Sequence, residues 1–455
     1  MRSTILRTSA PLSPALPSPP GRRRPARSAL VLAALAAGTL ALSGCVAAKN
    51  TPGNAAKGSI SKSDLKCGAG TGQQATGTPI QVRAITTASG GVDFSSSPAA
   101  AKAYFACLNA NGGINGHPVA YQVGDDGFNP TKTGQLAAQY GADSSVVANV
   151  GDSAYSGCGV ANAQYAKDGL YSITGVGVAQ ECFESSNIAP VNAGPRISSI
   201  GALTSLFKDG KADTVYLTGI NTQATAWAND GLKAYAQANG IKVLGSDVTD
   251  PGESNFLPLL NKIKASGAKS VILTYPGPDA AAVLAAAEKQ GMKEGIAWAC
   301  PSSCYDAQFG AQVGDYWNGL TVDSELALTD SNGKDNELWK SVMDGYAASS
   351  APRDTFSQAG FLAAKIFSDT LIEAKPATYD RPTVSKILLG IKNYHSDLEC
   401  APWYFGEAGQ HNADHATRMA VLKNGVYEQL SDCSPSKDLG LAPILEREKS
   451  QGLVG

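Results

Sequence analysis

Three short segments of this 455-residue chain carry residue types that catalysis or metal binding uses. Gly151-Asp152-Ser153 has the form of the nucleophile block of a GDS-type hydrolase, in which a histidine takes the serine proton as the hydroxyl attacks an ester. Such an enzyme also needs Asp-x-x-His near its C-terminus. The nearest segment, Asn412-Ala-Asp414-His415, has asparagine where the aspartate belongs. Gly151-x-Ser153-x-Tyr155 likewise misses the Gly-x-Ser-x-Gly elbow. His411 and His415 stand four apart around Asp414, a helical metal spacing, but the segment is polar and reads as a solvated loop. Cys300-x-x-x-Cys304 has no second Cys or His pair nearby to complete a zinc site. Gly68-Ala-Gly70-Thr-Gly72 follows no strand, and Gly-x-x-x-x-Gly-Lys-Ser/Thr does not occur. No catalysis, metal or other cofactor is expected.

The strongest chemical signal lies near the N-terminus. Residues 1–28 are rich in Pro and Arg, and Ala29–Leu42 is an uncharged apolar run of 14, short for a membrane span and suited to the core of a secretory signal. It ends in Leu42-Ser43-Gly44-Cys45, which resembles the bacterial lipobox. There the cysteine thiol takes a diacylglyceryl group, so residues 1–44 are expected to leave and Cys45 to carry lipid. Each buried methylene adds ~0.8 kcal/mol, and two or more chains anchor stably. From residue 45 to about 78 the chain is Ser-, Gly-, Lys-, Thr- and Ala-rich without periodicity, as in a flexible tether.

Strands and helices then alternate. Ile80–Thr86 is β-rich, and Ala100, Ala103, Tyr104, Cys107 and Leu108 lie on one helical face that stops at Asn111-Gly112-Gly113. Strands at 119–124, 145–150 and 170–174 alternate with helices at 131–141 and 160–168. The pattern restarts with strands at 213–219, 241–247, 270–275 and 296–299, interleaved with helices at about 228–236, 256–263 and 279–290. Beyond residue 335 the chain reads as mainly helical, with Phe356, Ala359, Gly360, Ala363, Ala364 and Phe367 on one stripe. A hairpin about Asn424-Gly425 follows. Two βαβα runs predict an α/β protein with two Rossmann-like lobes, each a doubly wound parallel sheet covered on both faces.

This layout also sorts the cysteines. Setting Cys45 aside leaves eight, an even set suited to an oxidising compartment, with 105 possible pairings. Proximity in the layout favours Cys158–Cys182, in two neighbouring strand-end loops, with Cys300–Cys304 and Cys400–Cys433, and elimination leaves Cys67–Cys107. In open α/β sheets ligands bind beyond the carboxyl ends of the strands, so the informative loops are 89–94, 151–159, 174–180, 221–227, 275–279 and 300–306. They are rich in Gly, Ser, Thr, Asn and aromatic residues, which suits a ligand cleft. Residues 1–44 hold six arginines and no acid, leaving 31 basic and 39 acidic residues elsewhere. That net of -8 argues against nucleic acid as a partner.

The lipobox, Ile80–Thr86, Asn109-Ala-Asn-Gly-Gly-Ile-Asn-Gly116, Gly124-Asp-Asp126 and the strand through Asp152 together resemble the branched-chain amino acid/amide (leucine/isoleucine/valine-binding protein-like) class of solute-binding proteins. The resemblance spans about residues 79–430. It implies the type I periplasmic binding protein fold, with lobe 1 at 79–198 and 335–412 and lobe 2 at 199–334 and 413–455, the last segment a hairpin and C-terminal tail. It further implies a monomer whose lobes close on a small polar ligand for a membrane ABC permease. A sensory receptor would use the same two lobes. By position the ligand residues are Phe94, the loop Ser153, Ala154 and Tyr155, then Thr174, Val176 and Val178. Lobe 2 supplies Gln223, Tyr275, Ser302 and Asp306. Ser153 and Thr174 would hold the polar head while Phe94, Tyr155 and Tyr275 pack around it. Amino acid binders place a carboxylate near the position of Pro301-Ser302 to pair with the ligand ammonium. Neither residue is acidic, so Asp306 or Asp279 would have to substitute, and an amide or urea-like ligand fits equally.

Overall fold

The computed structural model describes residues 65–211, 213–406, 411 and 413–454. The signal segment, Cys45 and the tether up to residue 64 lie outside the described residues. From Leu65 onward the segment expected as tether belongs to the folded body: Leu65 and Cys67 are buried, and the Asn111 side-chain amide donates to the Leu65 carbonyl.

The first sheet is built from β1 (Ile80–Thr86), α1 (Ser96–Ala110), β2 (Val119–Asp125), α2 (Pro130–Ala142), β3 (Val146–Val150), α3 (Gly157–Asp168), β4 (Ser172–Thr174) and β5 (Ile188–Pro190). Its five strands are all parallel in the order β2-β1-β3-β4-β5. α2 starts where Asn129 accepts from the amides of Thr131 and Lys132 ahead of Pro130, a cap and a first-turn proline together. The chain then runs through α4 (Gly194–Lys208), β6 (Thr214–Ile220), α5 (Gln223–Ala238), β7 (Lys242–Thr249), α6 (Leu257–Ser266), β8 (Ser270–Thr274), α7 (Gly277–Lys289), β9 (Ala297–Cys300), α8 (Ala307–Val313) and β10 (Thr321–Asp323). Next come α9 (Lys334–Tyr346), α10 (Thr355–Ala374) and α11 (Arg381–Leu389). The C-terminal part adds β11 (Ala416–Thr417), β12 (Met419–Lys423), β13 (Val426–Gln429), β14 (Ser434–Pro435) and α12 (Ala442–Gln451).

The second sheet has seven strands in the order β13-β12-β10-β9-β8-β6-β7. It is mixed rather than purely parallel, because β12, the first strand of the hairpin, runs antiparallel to β10. Apolar clusters cover both faces of both sheets. On β6, for example, Val215 and Leu217 pack under α4 and α5, while Tyr216 faces the opposite cluster with α6 and α7. Helices α9, α10 and α11 return to the first sheet, where Trp339, Phe361 and Phe367 join the core around α1. Among the described residues the chain passes between the lobes after β5, after β10 and at 413–415, and the C-terminal tail, expected with the second lobe, returns to the first, where Leu453 joins the core and its carbonyl accepts from the Asn393 amide at 2.9 Å. The result is two α/β lobes joined by a multi-strand hinge.

Several elements were not foreseen. β5 and β10 are three residues long and carry no periodicity. α4 is buried almost all round, from Gly194 to Leu206, so it shows no stripe. His411 and Asp414, expected on a solvated loop, are buried, and burial pushes the His411 imidazole down to about 4. The disulfides are Cys158–Cys182, Cys300–Cys304 and Cys400–Cys433, the pairs that the layout favoured, and Cys67–Cys107, the pair left by elimination. Among the described residues no helix is long and apolar enough to cross a membrane.

Candidate functional site

The carboxyl ends of β1, β3 and β4 face those of β6, β8 and β9 across a cleft, and the turns beyond them line a cavity of ≈ 60 Å³. Six expected residues meet there: Phe94, Tyr155, Val176 and Val178 from the first lobe, Tyr275 and Ser302 from the second. Phe94 stacks on Tyr155 at 6.2 Å between centroids, and Phe356, at the start of α10, meets Phe94 edge-on at 5.4 Å. The Tyr155 hydroxyl and the Thr222 hydroxyl, 3.1 Å apart, form a hydrogen bond between the lobes. Phe183 and Trp227 stack between the lobes nearby. The Tyr275 hydroxyl is shared with Thr218 at 2.9 Å and Thr249 at 3.2 Å, so that residue offers the cavity mainly its ring.

Five expected residues lie elsewhere. Ser153 is fully buried behind the cavity, paired with the Thr86 hydroxyl at 2.8 Å and donating to the Phe94 carbonyl at 2.9 Å. It fixes the loop that presents Phe94. Ala154 and Thr174 line a separate small void with Asp152, and the Thr174 hydroxyl pairs with Ser172. Asp306 is spent as the cap of α8, accepting from the Phe309 amide at 2.9 Å. Gln223 lies on an open groove of ≈ 680 Å³ bounded by 180–184, α5 and the start of α12. That groove is the larger, yet its cation, Arg196, is already held bidentately by Asp438 at 2.6 and 2.8 Å. Ser153 and His415 do not form a catalytic pair: His415 bonds Glu448 at 3.0 Å instead.

The sequence reading missed Glu325. It follows β10, at the carboxyl end of a strand like the other site residues, but that strand is too short to betray itself. Its Oε1 accepts the Gly194 amide at 3.0 Å, it lines the cavity, and it is 1% exposed. Burial, reinforced by the negative charge of Asp323, pushes its carboxyl up to about 8. Burial likewise pushes Asp323 up to about 7 and Asp152 up to about 6.

These three acids make stability depend on pH. Each binds its proton more tightly folded than unfolded, where carboxyls titrate near 4. Their contribution is complete below that value and is lost as pH rises through 6 to 8. His411 acts oppositely, losing stability as pH falls from 6.5 toward 4, but Asp354, Glu399 and Asp414, also pushed up by burial, side with the three acids. The melting temperature should fall by several degrees between pH 5.5 and pH 8.5 in a calorimetric series. A rise over that range would contradict the burial of these carboxyls.

The periplasmic binding protein family profile matches residues 79–426. No curated protein matches the sequence. Among solved structures, a fatty acid ABC transporter substrate-binding protein from Thermomonospora curvata aligns with a TM-score of 0.69 at 17% identity, covering 82% of this chain and 96% of that one. A leucine binding protein from Thermotoga maritima gives 0.67 at 13%, covering 79% and 100%. A solute binding protein of an ABC transporter from R. palustris, in complex with 4-hydroxybenzoate, gives 0.67 at 16%, covering 80% and 100%. At these identities the structures speak for the fold alone. The family profile spans most of the chain, and the two facing α/β lobes have the architecture it requires: this chain belongs to the periplasmic binding protein family, with the type I fold.

Proposed function

We propose that this protein captures a small solute by closing its two lobes and hands it, chemically unaltered, to an ABC importer, acting as a monomer held outside the cytoplasm by lipid on Cys45. The observation that carries this reading is the cavity at the facing strand ends, walled by aromatic side chains and bridged by the hydrogen bond between Tyr155 and Thr222. The solved relatives named above, each with an ABC-transporter or amino acid-binding description, support it. Phe94, Tyr155, Val176, Val178, Tyr275 and Ser302 touch the ligand in this reading, and Ser153 and Thr174 hold the loops that present them. A contact made only when the lobes meet favours closure, and a ligand that binds both lobes shifts the equilibrium the same way. The permease then reads the closed form.

A thermal-shift screen of amino acids, amides, amines, ureas and short-chain acids tests the reading. A ligand at a hundredfold excess over Kd should stabilise the fold by ~2.7 kcal/mol. Tyr155→Phe removes one interlobe hydrogen bond of about 1 kcal/mol and should weaken that ligand roughly fivefold with little change in the melting temperature without ligand. Silence across the whole screen would overturn the reading.

A further inference from the structure

We propose that the cavity selects a primary amine on a compact apolar body, its ammonium group paired with Glu325, in preference to a carboxylic acid or an α-amino acid. The inference rests on the reading of this cavity as the ligand site and names the chemistry that fits it. Glu325 Oε2 is buried and meets no donor in hydrogen-bonding geometry, although the side chains of Ser302 and Asn192 stand close by. A buried carboxyl oxygen without a partner is costly, and a ligand ammonium would satisfy it while favouring the ionised form over the neutral acid that burial otherwise holds.

The backbone at this position is also unusual. Glu325 has φ 54, and the Leu326 amide donates to the Ser324 carbonyl at 2.6 Å, closing a three-residue turn around it. A glutamate in that conformation is strained, and such strain gathers at ligand sites. The turn holds the carboxyl against the cavity while the Glu325 amide donates to Asp323 at 3.1 Å.

The charge around the cavity favours a cation. Among the described residues no lysine or arginine lines it. The helices that open toward it already have their own acceptors: Glu325 takes the first amide of α4, Thr222 caps α5, and Asp354 caps α10. Asp279 lies in the first turn of α7. The groups expected to hold a ligand carboxylate are spent inside the first lobe. The amides of Gly175 and Val176 both donate to the Asp152 carbonyl at 3.0 Å, and that of Gly177 donates to Asn192 at 2.6 Å. An enclosed carboxylate would have no cation to pair with. The remaining walls, Phe94, Phe356 and the rings of Tyr155 and Tyr275, suit an apolar body.

Isothermal titration at pH 7.5 with matched probes decides the matter: 3-methylbutylamine and benzylamine, 3-methylbutanoate and benzoate, leucine and phenylalanine. At least one amine should bind tenfold or more tightly than its matched acid and its matched amino acid. Glu325→Gln should weaken that amine at least ~30-fold. The wild-type comparison stands even if the variant fails to fold. The proposal is overturned if an acid or amino acid binds as tightly as its amine, which leaves solute capture itself intact. It is overturned too if Glu325→Gln folds and retains the amine within twofold, or if neither amine binds. In that last case the broader screen above separately decides whether solute capture also falls.

Discussion

Replacing Arg381 with methionine should lower the stability of the fold by about 4 kcal/mol while leaving ligand affinity unchanged. Arg381 stands at the first position of α11, and its guanidinium donates to the carbonyls of Val146 at 2.7 Å, Gly141 at 2.8 Å, Asp168 at 3.0 Å, Tyr140 at 3.3 Å and Asp143. Tyr140, Gly141 and Asp168 end α2 and α3, where the last carbonyls of a helix have no partner within it. One side chain thus finishes two helices and ties α11 to the start of β3. Methionine fills much of the volume and offers no donor, so several carbonyls would be left buried and unsatisfied. Lysine has three donors and no planar fork, and Arg381→Lys should recover only part of the loss. Urea denaturation of the three proteins measures the effect. A loss below about 1 kcal/mol would mean that those carbonyls find other donors. Arg381 lines no part of the cavity, so unchanged affinity separates its role from that of the site residues.

The alternation that builds both lobes was legible because its strands and helices have one buried face or one buried run. Examples are the α1 face of Ala100, Tyr104 and Leu108 and the buried strand β8. β10 was not legible, because three residues carry no period, and Glu325 was lost with it. The aromatic side of the cavity followed from the strand-end rule, which needs only the position of each turn. The polar side did not, because a hydroxyl's partner depends on which strands pair. Thr86, the last residue of β1, bridges to Ser153 beyond the end of β3, and that pairing turns the Ser153 hydroxyl inward. Three of the disulfide pairs followed from the same layout, and Cys67–Cys107 only by elimination, because Cys67 lies in a segment without periodicity.

Gly360→Ala should cost about 3 kcal/mol of stability and weaken ligand binding at least tenfold. Helix propensity alone predicts the reverse, because alanine in a helix interior is favoured over glycine by about 1 kcal/mol. The contact decides. A Cβ on Gly360 would run into the carbonyl of Ser97 and stand 2.6 Å from its Cα, and these are backbone atoms that no rotamer change can move. Gly360 is where α10 crosses the first turn of α1 with no side chain between them. Gly175 and Gly151 close on the same point: a Cβ on Gly175 would lie 3.3 Å from the Gly360 Cα and 3.4 Å from that of Gly151, whose carbonyl accepts from the Ser97 hydroxyl at 3.0 Å. Phe94 precedes α1, Tyr155 follows Gly151, Val176 follows Gly175, and Phe356 lies one turn before Gly360. The glycine contact therefore sets the spacing of one whole wall of the cavity. Pushing α10 outward would part Phe356 from Phe94, now 5.4 Å apart, and loosen the stack with Tyr155. Chemical denaturation and titration of the same variant read the two effects. Ser97→Gly in the Gly360→Ala background should restore neither, because the obstruction is the main chain, and recovery of stability in the double variant would refute this account of the packing.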